Sequence, residues 1–180
     1  MANNSLSNRE SNPYIDNLMR KAREDYGFIS QHNPAVVLEN GPGFAETYSA
    51  DETGTPDYPR PAGIPLGRFG VGVRQPNKFT HHDLAMEMLH VDPYANEVRG
   101  HLAASLEPQQ IEAMKNHYLD YQGSLDEGLS QDHALRNGTD AIMRGALGQA
   151  PQEVNTAMGF SGPQTALIEG LRNYMKTGKR

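Results

Sequence analysis

Residues 57–74, DYPRPAGIPLGRFGVGVR, join a polar, extended first third of the chain to a helical remainder. Pro59, Pro61 and Pro65 bias the backbone toward extended or polyproline geometry and remove donors that a sheet would need. Gly63, Gly67 and Gly70 permit bends or close backbone approach. Phe69, Val71 and Val73 then alternate, which predicts a short strand over 69–73. A Pro/Gly-rich strap over residues 50–74, laid across a surface and running into that strand, accounts for the pattern without a ligand.

On the N-terminal side, Ala35 to Glu39 is β-prone and is closed by the turn signal Asn40-Gly41-Pro42-Gly43. Phe44 to Ser49 alternates again, and the two runs together predict a hairpin over 35–49. Gly41-x-Gly43 is not a dinucleotide fingerprint, because no helix opens after it. Further back, Asn12-Pro13 reads as an N-cap followed by proline at the first helical position. The stripe Ile15, Leu18, Met19, Ala22, Tyr26 predicts a helix over 13–26, with Gly27 as its stop and Phe28 and Ile29 turned onto the core. Residues 1–11 are rich in Asn and Ser without apolar periodicity, and are expected to form a polar arm, disordered when alone in water.

On the C-terminal side the chain reads as short helices. Thr80 caps one carrying Leu84, Ala85, Met88 and Leu89, which ends before Pro93; Tyr94, Val98 and Leu102 mark the next. Glu107-Pro108 opens a third with Ile111, Met114, Tyr118 and Tyr121. A weaker segment covers 125–135, and Thr139 caps another with Ile142, Met143 and Leu147. Ser161-Gly162-Pro163 starts the last helix, with Leu167, Ile168, Leu171 and Tyr174 inward and Gly178 at its end. Helices this short need each other to persist. The predicted fold class is α+β, mostly helical: a short β-hairpin and a Pro/Gly-rich strap packed on a bundle of short helices. Residues 12–180 form one domain behind the arm.

Composition narrows the function classes. Glycine and proline number 18 and 12 of 180 residues, above the usual share of about 12%, which agrees with long irregular segments. There is no cysteine, hence no disulfide framework, thiol nucleophile or Cys-based zinc site. No apolar run approaches the ~20 residues of a membrane span, and the first ten residues are too polar for a signal peptide, so a soluble protein is expected. With 22 acidic against 16 basic residues the net charge is −6, which argues against nucleic acid as a partner. The basic groups Arg20, Lys21, Arg23 and Lys176, Lys179, Arg180 read as solvated helix faces.

The richest chemical cluster is His81, His82, Asp83, Glu87 and His90. It lacks the HExxH spacing of zinc peptidases. Glu87-x-x-His90 matches half of a di-iron carboxylate motif, but Glu97 and His101 are one residue too far apart to supply the second half. A solvated helix face with histidines near its ends explains the same residues. Ser161 lies in FSGP rather than a G-x-S-x-G elbow. Met86, Met88, Met114, Met143 and Met175 read as core filler. No catalytic residue, metal ligand or cofactor is assigned.

The runs PDYPRPAGIPLGRFGVGV, DLAMEMLHVDP, SLEPQQIEAMKNHYLDYQ, TDAIMRGALGQ and GPQTALIEGLRNYMKTG, taken in order, resemble a segment of proteins from tailed bacteriophages and prophages, including large polyvalent or internal virion proteins. The resemblance covers about two thirds of the chain and rests on structural rather than catalytic features. It implies a non-enzymatic structural or assembly protein of the virion, present in the host cytoplasm before assembly. Its partners would be other virion proteins, with room for a homo-oligomer inside a larger assembly. Two other readings stand beside it: a small metal-dependent hydrolase or peptidase using His82, Glu87 and His90, and a host-directed inhibitory binding module.

Overall fold

Asn12 starts helix α1 (Pro13–Asp25) with its side chain accepting from the Tyr14 and Ile15 amides, while Pro13 at the first helical position has no amide to satisfy. The computed structural model describes residues 12–54, 56, 59–114 and 158–180. The expected arm at 1–11 and the segments at 125–135 and 139–147 lie outside the described residues. α1 buries Leu18, Met19 and Ala22. Where the sequence predicts only a stop at Gly27, a second short helix follows at once, α2 (Gly27–His32), burying Phe28 and Ile29. Gly27 is needed there because a Cβ would stand 2.6 Å from the Lys176 carbonyl oxygen.

Three four-residue strands follow: β1 (Ala35–Leu38), β2 (Ala45–Tyr48) and β3 (Gly70–Val73). The sheet order is β1-β3-β2, with β1 parallel and β2 antiparallel to β3. The mostly helical α+β class is as the sequence implies, but β1 and β2 do not pair as the expected hairpin. The strand at the end of the strap inserts between them. Its register explains why. Val71 and Val73 point into the helical core, and on the opposite face Gly70 and Gly72 leave the central strand bare.

The strap fills that bare face. Ile64, 1% exposed, packs with Ala35, Tyr48 and Val37. A Cβ on Gly70 would lie 2.2 Å from Ile64 Cγ2, and one on Gly72 would lie 2.3 Å from the Glu39 carboxyl carbon. The Gly-Val-Gly-Val alternation therefore encodes two different faces: valine toward the helices, glycine under Ile64 of the strap and under the Glu39 side chain.

Helix α3 (His81–Val91) is capped by Thr80, whose hydroxyl and backbone engage Asp83. α4 (Pro93–Ala104) begins at Asp92, and α5 (Pro108–Met114) follows. The last helix, α6 (Gly162–Thr177), closes on Gly178 in the left-handed conformation. α6 packs on α2 and α4, and α1 on α3. The main core joins Phe28, Ile29, Val71, Leu84, Met88, Leu89 and Leu171. Met86, Met88 and Met175 are buried, as expected for filler; Met143 and the Met114 side chain lie outside the described residues.

Candidate functional site

The histidine-rich end of α3 does not converge on one point. The His82 ring bonds the Tyr26 hydroxyl, and His81 Nε2 lies 2.7 Å from Asp25 Oδ2. Burial, with Asp25 and Asp83 adding to it, pushes the Tyr26 hydroxyl up to about 12, so it stays protonated. Asp83 is committed to the Thr80 cap. Glu87 instead accepts a 2.6 Å bond from Thr47 on β2 and sits 3.4 Å from His90. His82 and Glu87 stand about 140° apart around the helix, so one ion cannot reach both. The set His82, Glu87, His90 required by the metal-dependent hydrolase reading is therefore split across two faces. Among the described residues no three His, Cys, Asp or Glu side chains are placed to hold a metal.

A second polar centre was not legible in the sequence. Asp92, fully buried, accepts from the Ala95 amide at 2.7 Å, the Tyr174 hydroxyl at 2.7 Å and the His32 ring. Burial alone would push its carboxyl up. The bonds from His32, Ala95 and Tyr174, with the electrostatic attraction of the His32 ring, more than offset that and hold it below the ordinary carboxylate value. The same burial and the adjacent carboxylate push Tyr174 upward. Phe28 and Phe69 pack edge-on against the imidazole. The arrangement ties α2, the α3–α4 junction and α6 together. Asp92-Pro93 is visible in the sequence as a helix junction, but nothing there pairs it with residues 60 and 82 positions away.

An open groove of about 640 Å³ lies between α1 and β1. It has Ile15, Met19 and Val36 among its lining, with Asp16, Arg23 and Arg68 around it. β1 is an edge strand. The Ala35 amide donates to the Phe69 carbonyl at 2.8 Å and the Glu39 amide to the Val73 carbonyl at 3.1 Å. In a parallel pair the intervening residues turn their polar groups the other way. Val36 and Leu38 thus present their N–H and C=O groups away from β3, with no hydrogen-bond partner among the described residues. Leu38 is also 45% exposed. Edge strands with these properties accept another extended chain.

Arg23, read from sequence as part of a solvated basic face, is one of the groove's residues. Arg20 is neutralised by Glu24 at 2.8 Å. Comparison of the chain with known protein families, with curated proteins and with solved structures finds no match. No helix among the described residues is long and apolar enough to cross a membrane.

Proposed function

We propose that this chain is a non-enzymatic assembly protein of a tailed-bacteriophage virion, and that it binds an extended segment of another virion protein along β1. The observation that carries the reading is the open β1 edge beside the α1 groove. It combines unsatisfied backbone groups with a channel for alternate side chains, which is what strand addition uses. The sequence resemblance supplies the virion context. Extended segments suit such assemblies, because they bury area on a neighbour without a core of their own.

The test is quantitative mass spectrometry of purified particles from the phage that encodes the chain, made with the natural sequence and with Leu38→Pro. Proline at 38 deletes an outward-facing amide on an edge strand, where proline is tolerated, so the variant folds while docking fails. The expected result is a fixed copy number for the natural chain and a large loss for the variant. Absence of the natural chain from particles removes the virion reading. Equal incorporation of the proline variant removes the β1 edge as the attachment point.

A further inference from the structure

The charges around the groove are not evenly placed. Arg23 donates from Nη2 to Asn33 Oδ1 at 2.7 Å, and Arg68 donates from Nε to the Asn33 carbonyl at 2.9 Å. Asn33 adopts a left-handed conformation, φ 42, where α2 ends, and so offers both its side chain and its carbonyl to the two guanidinium groups. Each guanidinium carries five N–H donors. No carboxylate pairs with either Arg23 or Arg68 among the described residues. Arg20, by contrast, is spent on Glu24 and Asn17. At the opposite end of the α1 face stands Asp16, about two turns of helix from Arg23. Arg20 and Glu24 also line the groove but offset one another, which leaves the excess positive charge of Arg23 and Arg68 where β1 begins and Asp16 where α1 begins.

We infer that the groove selects a partner segment carrying a carboxylate, seated on Arg23 and Arg68, with an apolar side chain two residues away over Ile15, Met19 and Val36. This rests on the reading of β1 as a docking edge. An extended chain advances about 6.7 Å per two residues and returns its side chains to the same face. A carboxylate meeting two guanidinium groups gains charge-assisted, directional bonds, while a lysine there meets like charge. The occupant that fits is an acidic–apolar extended segment of another protein.

The experiment presents the full-length chain to an array of alternating Val-Thr heptapeptides in which each position carries Glu, Gln or Lys in turn. Binding is expected to favour Glu over Gln by about tenfold at one register and to reject Lys. Arg23→Gln with Arg68→Gln should level Glu and Gln, and Arg23→Glu with Arg68→Glu should turn the preference to Lys. Retained far-ultraviolet circular dichroism shows that these surface variants fold. If Leu38→Pro abolishes binding but Glu, Gln and Lys bind alike, the carboxylate inference falls and the docking edge stands. If no peptide binds, or Leu38→Pro binds as well as the natural chain, both fall. A photo-cross-linking p-benzoylphenylalanine in place of Leu38 identifies the occupant. Capture of the Glu peptide supports the inference, whereas capture of a second copy or of residues 1–11 overturns it.

Discussion

Replacing Arg60 should unfasten the strap. Its guanidinium donates to five backbone carbonyls: Nε to Ile64 at 2.7 Å, Nη1 to Ser49 and Glu52 at 2.6 Å each, and Nη2 to Pro65 at 3.0 Å and to Arg68. It also lies 5.7 Å from the centre of the Tyr48 ring. The bonds to Ile64, Ser49 and Arg68 are partly buried, and those to Glu52 and Pro65 are exposed. Carbonyls at the surface return to water at little cost, so the loss comes from the three sheltered ones. At a net value of about 1 kcal/mol each, Arg60→Ala should cost about 3 kcal/mol. For a chain of this size that is a fall in Tm of about 6–12 °C. Arg60→Lys should recover less than half, because an ammonium is a compact donor that cannot span acceptors arranged around a planar fork. Urea unfolding followed by far-ultraviolet circular dichroism reads both. A loss under about 1 kcal/mol for alanine, or full recovery by lysine, would refute the claim that one side chain organises this loop.

Other expectations follow from single contacts. Gly70→Ala should cost about 1–3 kcal/mol through its clash with Ile64. Combined with Ile64→Ala, the pair should cost less than the sum of the two, and strictly additive denaturation midpoints would show that the strap does not lie on Gly70. Gln110 and Gln164 bond one another at 2.8 Å and 3.0 Å, while each also accepts from an amide at the start of its own helix. Gln164→Ala should therefore cost about 1–2 kcal/mol, with Gln110→Ala adding little more once the pair is broken; hydrogen exchange at α5 and α6 checks this. Asp92 titrates below its ordinary value of about 3.9, so its contribution is complete above that pH and is lost as pH falls through the lower folded value. Asp92→Asn should be less stable than the natural chain at pH 7, and the gap should shrink in acid. A gap that stays constant down to pH 2, on this scale of about two units below the reference value, would remove Asp92 as the source.

Local rules made most helix boundaries legible. Asn12-Pro13, Thr80 with Asp83, Asp92-Pro93 and Ser161 with Gln164 each satisfy orphan amides within a few residues of themselves, so the signal and its consequence share one stretch of chain. The strand at the end of the strap was readable for the same reason, from the alternation of Phe69, Val71 and Val73. The pairing of strands was not. Ala35–Leu38 and Ala45–Tyr48 look like a hairpin because they are neighbours in sequence, and only the match between bare glycine and Ile64 shows that β3 belongs between them. Likewise the spacing of His81, His82, Glu87 and His90 invites a metal site until the helix turns them toward Tyr26, Asp25 and Thr47.

From the amino acids alone come the helical majority, the caps, the strap and the lack of any cysteine chemistry, because each depends on residue type and near neighbours. Strand order, the buried Asp92 junction and the polarised groove between α1 and β1 arise only on folding. They join residues far apart in the chain, and which distant surfaces meet is settled by the packing of the whole molecule rather than by any one segment's preference.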